Sequence, residues 1–283
     1  MPQSFAKYQA LGNNFILVNA LEGVAFIPGL ESTLIPTPKT VRRLCDVRYG
    51  IGADGLILLE PGLWGADYGM RIFNADGTQA EMCGNGIRCL DQFARAEGLS
   101  GTSEIRFSTG GGTIITREIE PGLVEVDMGE PVTDPERVPC TLPINKFGVH
   151  HAVAAKHSFL GYPISIGNPH FVTFVSSLLN TQLNVWGPAL ENHPGFPEKA
   201  NVHFVEVHNT HSVSALVWER GVGATQACGT GACAIAVAGV LSGKTSPVVG
   251  VKLPGGELNV EWDLKTNRLA MTGPAMRVFT GTI

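Results

Sequence analysis

Apolar residues in this chain fall in short runs, most with the length and composition of strands. In the first half, residues 15–18, 56–59, 69–73, 113–119 and 123–128 read this way, bounded by Gly, Asn, Asp and Pro. In the second half, residues 170–175, 202–207, 213–219, 257–262 and 269–272 do the same. Helical spacing is clear in two places. Over residues 84–97, Ile87, Leu90 and Ala94 share one face, and Gly98 supplies a stop. Over residues 229–241 the chain is apolar all round, through Ala232, Ile235, Ala236, Val237 and Val240, and Gly243 ends it. A helix with no polar face must be surrounded by protein. Strands of its own half are the natural wrapping, so the pattern predicts an α+β protein in which each half is a curled, mostly antiparallel sheet around a central helix.

The two halves repeat each other. TQAEMCGNGIRC around Cys83 matches TQACGTGACA around Cys228 at an offset of 145. Gly111-Gly112 matches Gly255-Gly256 at 144, and VEVDMGEP through Met128 echoes RLAMTGPA through Met271 at 143. LGNNFILV at Leu11 resembles IGNPHFVTF at Ile166 at 155, which implies an insertion. Four matches in one order indicate two homologous halves. Expected boundaries are 1–130, joined by a returning strand at 275–283, and 131–274.

Composition narrows the class. A chain of 283 residues and 44% hydrophobic content is globular and long enough for two domains. The net charge of −5 without a Lys/Arg run argues against nucleic acid or an anionic membrane as partner. The N-terminus lacks a signal-peptide pattern, and the longest apolar stretch, 232–241, is far short of a membrane span. These features predict a cytoplasmic protein with reduced thiols. Six cysteines with no CxxC pair make neither a disulfide scaffold nor a zinc finger.

Two of those cysteines carry candidate chemistry. Cys83 and Cys228 each precede Gly-x-Gly at a helix start. A helix N-terminus presents unpaired N–H groups and about half a positive charge. Thiols so placed fall from about 8.5 to roughly 3.5–7.5 in pKa. The glycines leave backbone donors bare for an anion such as a carboxylate. Two such thiols suit inversion of a stereocentre, in which a base on one face and an acid on the other exchange roles without a cofactor. Cys45, Cys89, Cys140 and Cys233 lack this setting and read as small buried hydrophobes.

RIFNADG at 71–77, MCGNGIRC at 82–89, GNPH at 167–170 and WERGVGATQACGTGACA at 218–234 together resemble the diaminopimelate epimerase family. ALGNNF at 10–15, GIGADG at 50–55 and LPGG at 253–256 are similar to it as well, so the resemblance covers about 5–280. It implies interconversion of LL- and meso-2,6-diaminopimelate without pyridoxal phosphate, metal or other cofactor, on the route to lysine. It implies that Cys83 and Cys228 are the catalytic thiols, with Gly84-Asn85 and Gly229-Thr230 cradling the reacting carboxylate. Asn13 is implied to bind substrate, and Asn74, Asn168, Asn201 and Arg220 to recognise the distal amino-acid end. His170 and Glu219 are implied to be auxiliary groups that assist proton handling and substrate binding. A small-molecule substrate and a homodimer follow from the resemblance too. The chain departs from the family pattern at Gly55, commonly Gln, at Ala224, commonly Glu, and at Asn14, commonly Asp.

Physical chemistry suits this division of roles. A guanidinium and several amides can read a distal carboxylate and ammonium. Helix N-termini can stabilise charge that grows as the α-proton leaves. The expected site is a cleft between the halves, where the two thiols reach one carbon. Oxidation to a Cys83–Cys228 disulfide would then give an inactive form. A two-thiol racemase of another amino acid is the alternative, and a thiol redox or metal-binding protein a remote one.

Other signals point elsewhere. GIGADG matches a dinucleotide fingerprint, but it follows a helix-like stretch and precedes a strand, the reverse of the required order. His203 and His208 would face opposite sides of one strand, so His203, His208 and His211 read as surface residues. His150, His151 and His157 fall in a stretch read as irregular. Thr78-x-x-Glu81 matches a capping box but competes with the stronger helix start at Cys83.

Overall fold

The computed structural model describes residues 3–22 and 36–283. The chain divides into two compact units, Met1–Val126 with Gly273–Ile283, and Asp127–Thr272. The first contains β1 (Ser4–Ala10), β2 (Asn13–Asn19), α1 (Pro38–Cys45), β3 (Gly55–Pro61), β4 (Tyr68–Asn74), β5 (Gln79–Ala80) and α2 (Gly84–Ala96). It continues through β6 (Glu104–Thr109), β7 (Gly112–Glu120) and β8 (Leu123–Gly129), the last crossing the unit boundary. The second contains β9 (His150–Ala154), β10 (His157–Ser165), β11 (Pro169–Phe174), α3 (Leu183–Glu191), β12 (Asn201–Asn209), β13 (Ser212–Glu219) and β14 (Gly223–Ala224). Then come α4 (Gly229–Leu241), β15 (Val248–Leu253), β16 (Gly256–Asp263) and β17 (Arg268–Pro274). The final strand, β18 (Met276–Thr282), returns to the first unit and pairs antiparallel with β1.

Strand pairing makes the duplication explicit. β1 and β2 are antiparallel, β2 and β3 parallel with α1 between them, and β3 and β4 antiparallel. β10, β11, α3, β12 and β13 repeat that series. Parallel pairing then skips the short strand, β4 to β6 and β13 to β15, with α2 and α4 as the crossovers. Each series continues into a hairpin that closes with Thr109 opposite Gly112 or Leu253 opposite Gly256. Those glycines have φ of 108° and 141°, conformations that a side chain would strain. The paired glycines of the repeat are therefore turn residues.

Helices explain the unalternating strands. In β3, Leu56, Ile57, Leu58 and Leu59 are all buried, because α1 and α2 both pack on this strand. Leu56 and Leu58 join Val41, Leu44, Ile16 and Phe73 in one core cluster. α2 also packs against β1, β2, β4, β7 and β18, which makes it the central helix of its unit. α4 packs against β10, β11, β12, β15 and β16, and Ala232 through Gly239 are all buried. Each buried Ile or Val contributes about 1.5–3 kcal/mol, so Ile235→Ala alone would cost about 2–5 kcal/mol. α2 also buries Arg88 and Asp91, and Asp91 accepts hydrogen bonds from Arg95 and Thr116. The helix stops are bonded as capping requires, with Gly98 N–H on Arg95 O and Gly243 N–H on Val240 O.

The structure adds elements, corrects the reading of the three histidines and decides that of Thr78. Each unit has a second helix, α1 or α3, beside the central one. α3 is hidden in sequence by Gly187 and Pro188 within it. His150, His151 and His157 do not lie in irregular chain but in β9 and β10, which pair antiparallel. Thr78 caps no helix, because Gln79–Ala80 is β5 and the N-cap of α2 is Cys83.

Candidate active site

In the first unit the site grows from the start of α2. Cys83 has extended backbone (φ −143°, ψ 119°) and caps the helix with its side chain, so Gly86 N–H donates to Sγ at 3.5 Å. Sulfur takes the place usually held by a Ser or Asp oxygen. An N–H aimed at sulfur, added to the helix field, favours thiolate over thiol. The thiol itself faces Asn13 Oδ1 at 3.9 Å, and Asn85 Nδ2 donates to that same oxygen at 3.3 Å. Asn13 is held by Asp54, which accepts from Asn13 Nδ2 at 2.8 Å and from Asn14 N at 2.7 Å. Asp54 thus turns the Asn13 carbonyl toward Cys83. Asn14 Nδ2 also donates to Asp54, so the departure at Asn14 is used within this cluster. Arg88, on the turn above, donates to Asn85 Oδ1 at 2.8 Å and to Gly84 O at 3.0 Å, which ties down the first residues of the helix. Asn74 is exposed at the end of β4 and donates to Thr78 Oγ1.

In the second unit α4 starts the same way. Cys228 (φ −127°, ψ 112°) accepts from Gly231 N–H at 3.4 Å and lies 3.5 Å from Thr230 Oγ1. Its further partner is a carboxylate. Burial raises the pKa of Glu219, while hydrogen bonds from Thr225 and the Cys228 thiol oppose that rise. Glu219 is therefore in reach of the proton on Cys228, where the Cys83 thiol faces an amide oxygen. Asn201 links the neighbouring residues, donating from Nδ2 to Pro169 O and accepting on Oδ1 from Arg220 N–H, both at 2.9 Å. The Arg220 guanidinium is exposed and donates to Glu198 O. Glu191, on α3, accepts from Gly221 N–H and Trp218 Nε1, which anchors the turn carrying Arg220.

His170 is fully buried on β11, with Nε2 2.8 Å from Asn168 Oδ1 and Nδ1 2.8 Å from His203 Nε2. His203 is correspondingly not the surface residue that its sequence setting suggested; the structure corrects that reading. It is fully buried, because β12 lies between β11 and β13 and turns this side chain onto α4. A Cβ built on Gly231 would come within 2.3 Å of His203 Cε1, so the imidazole lies against the first turn of α4. His208 and His211 are exposed. Burial lowers the pKa of both partners, His203 to about 3, and for His170 the His203 and Arg220 charges add to the effect. Both imidazoles are neutral at physiological pH.

The remaining thiols differ from the two capping ones. Burial pushes Cys45 and Cys89 up to about 12, and raises Cys140 as well. Cys233 is buried within α4. Gly55 has its own local reason, since a Cβ there would lie 2.5 Å from Phe73 O. Asp54, Glu191 and His203 were not singled out from sequence. For His203 the signal lies in the strand register: Leu17 pairs with Ile57 and Val172 with His203, so the repeated fold aligns it with a fully buried isoleucine.

The duplicated α+β fold is an architecture shared with known structures. A hydroxyproline epimerase from Agrobacterium vitis matches over 100% of this chain and 92% of its own, with a TM-score of 0.66 at 15% identity. A phenazine biosynthesis protein of the PhzF family from Bacillus anthracis matches over 100% and 99%, with a TM-score of 0.67 at 14% identity. At these identities the likeness establishes the fold. The sequence relatives go further. A family model for diaminopimelate epimerase matches residues 5–133 and 162–278. Curated diaminopimelate epimerases from Synechocystis sp. and Nostoc punctiforme are 46% and 45% identical, each over at least 99% of both chains. A chloroplastic diaminopimelate epimerase from Oryza sativa subsp. japonica is 44% identical over 98% of this chain and 79% of its own. The chain belongs to the diaminopimelate epimerase family.

Proposed function

We propose that this protein interconverts LL- and meso-2,6-diaminopimelate by proton transfer at one α-carbon, with Cys83 and Cys228 as base and acid in turn. The observation that carries the reading is the pair of helix-capping thiols, one in each repeat, in a chain whose relatives named for this activity match it end to end. One sulfur, as thiolate, takes the α-proton, so the C–H bond breaks and an S–H bond forms. The electron pair left on carbon delocalises into the adjacent carboxylate. The opposite thiol then delivers its proton to the other face and is left as thiolate. The resting state is the same pair with its proton exchanged, so the reverse reaction uses the same residues.

Backbone donors at Gly84-Asn85 and Gly229-Thr230 stabilise the negative charge that grows on the carboxylate. Loss of one such donor costs on the order of 3 kcal/mol, or about a hundredfold in rate. Glu219 and His170 assist as auxiliary groups. Asn74, Asn168 and Arg220 read the distal end, and Asn201 holds Arg220 through its backbone. The reading needs no pyridoxal phosphate and no metal, and it places the activity in lysine biosynthesis. No helix among the described residues is long and apolar enough to cross a membrane. A cytoplasmic homodimer belongs to the same reading, supported by the exposed Met276, Val278 and Phe279 of β18.

Chiral chromatography of LL-diaminopimelate incubated with the reduced protein tests the function. The expected result is approach to an LL/meso mixture. Unchanged LL isomer would overturn the substrate assignment.

A further inference from the structure

His203 and His170 form a buried pair that the fold does not require. In the first unit the register-equivalent positions are Ile57 and Phe15, both apolar and buried. Ile57 meets Gly86 as His203 meets Gly231, so an aliphatic side chain suffices for packing at this place. Burying two imidazoles instead carries a desolvation cost, and such breaks with the local rule mark functional places.

Hydrogen-bond accounting fixes where the protons are. Each neutral imidazole has one N–H and one acceptor nitrogen. His203 Nδ1 is buried and has no hydrogen-bond partner among the described residues, whereas its Nε2 meets His170 Nδ1. Were the proton on His203 Nδ1, a buried donor would be orphaned, a rarer and costlier state than an orphaned lone pair. The proton therefore sits on His203 Nε2 and is donated to His170 Nδ1. That makes His170 an acceptor at Nδ1 and a donor at Nε2, where Asn168 Oδ1 accepts it. With its oxygen so engaged, Asn168 has its Nδ2 donors left for another group. The reverse chain, with Asn168 donating to His170, would end on a buried N–H at His203.

We infer that His203 is a positioning residue that sets the tautomer of His170 and thereby holds the Asn168 amide with its NH2 group available to a substrate carboxylate. The carboxylate's identity as the distal end of diaminopimelate rests on the function proposed above; the tautomer does not. His203→Leu removes the donor while keeping an apolar body against Gly231. His203→Gln keeps an amide N–H for His170 Nδ1.

Long-range proton–nitrogen correlation spectra of the 15N-histidine-labelled protein read the tautomer without substrate. His170, assigned by the loss of its signals in His170→Gln, is expected to carry its proton on Nε2 in the wild type and in His203→Gln. Mixed tautomers are expected in His203→Leu. A proton on His170 Nδ1 in the wild type would overturn the inference whatever the protein acts on. Kinetically, His203→Leu is expected to raise KM for diaminopimelate by about tenfold, with kcat within about threefold and KM restored in His203→Gln. An unchanged KM in His203→Leu, or equal losses in both variants, would overturn the link to Asn168. Absence of turnover in the wild type would refute the substrate reading and leave the tautomer to be judged by its own spectrum.

Discussion

Adding one methyl group at Gly231 tests whether His203 is pressed onto the first turn of α4. The Cβ of Gly231→Ala would lie 2.3 Å from His203 Cε1 and 3.0 Å from Nε2, where carbon contacts prefer about 3.5–4.0 Å. The ring must move by more than about 1 Å, yet it is fully buried and bonded to His170 at 2.8 Å. Overpacking costs about 1–3 kcal/mol and the disrupted buried hydrogen bond about 1–3 kcal/mol, against at most about 1 kcal/mol gained in helix propensity. A net loss centred on about 3 kcal/mol follows. Gly86→Ala is the internal control. Its Cβ would meet Ile57 Cδ1 at 3.0 Å and Met70 Cε at 3.1 Å, flexible ends that can yield, so its net effect is within about 1 kcal/mol. For a unit of this size, thermal unfolding should show Gly231→Ala lowered by roughly 5–12 °C and Gly86→Ala within about 4 °C of wild type. Replacing His203 by Ala should make the Gly231→Ala change mild, a coupling readable in a double-mutant cycle. Equal melting of the two glycine variants, or no coupling to His203, would refute the packing argument.

Acid sensitivity follows from the same histidines. Their folded pKa values lie below the unfolded value of about 6.5, so the unfolded chain binds protons first and stability falls as pH drops below about 6.5. Each contributes up to about 1.4 kcal/mol per pH unit, His203 until about 3, and urea midpoints should fall more steeply in wild type than in His203→Gln; parallel slopes would contradict this. Glu219 has the opposite sign: its raised folded pKa means that the native state holds the proton longer, so its contribution is lost as pH rises above about 4.5. Glu219→Gln should remove that loss and slow epimerisation by about a hundredfold through its contact with Cys228; wild-type rates would exclude the auxiliary role. Asp54→Ala frees Asn13 from its 2.8 Å hydrogen bond and should lower kcat/KM by about tenfold, with unaltered kinetics refuting the link from Asp54 to Cys83.

Much of the fold was legible because strand-length apolar runs and two helical stretches stand out in the sequence. The all-apolar stretch at 229–241 demanded enclosure, and the two Cys-Gly-x-Gly blocks declared the repeat. Elements with a mixed surface were not legible. α3 carries Gly187 and Pro188, and β9 and β10 hold three histidines, with Gly161 and Pro163, in a stretch read from sequence as irregular. At the site, the capping thiols could be read from their glycines, since helix starts have a sequence grammar. Tertiary hydrogen bonds have none. Nothing local to Asp54 announces Asn13, and histidine's ordinary exposure hid His203, which only the strand register of the repeated fold aligns with a buried isoleucine.

The central claim is that one thiol from each repeat serves opposite faces of a single carbon. The direct test is proton NMR of LL-diaminopimelate with reduced protein in D2O, followed through the first turnovers, beside Cys83→Ser and Cys228→Ser. The account predicts that meso product carries solvent deuterium at the inverted carbon while unreacted LL substrate keeps its proton, and that neither variant forms product. Product retaining the substrate's own proton, or epimerisation surviving either substitution, would contradict it.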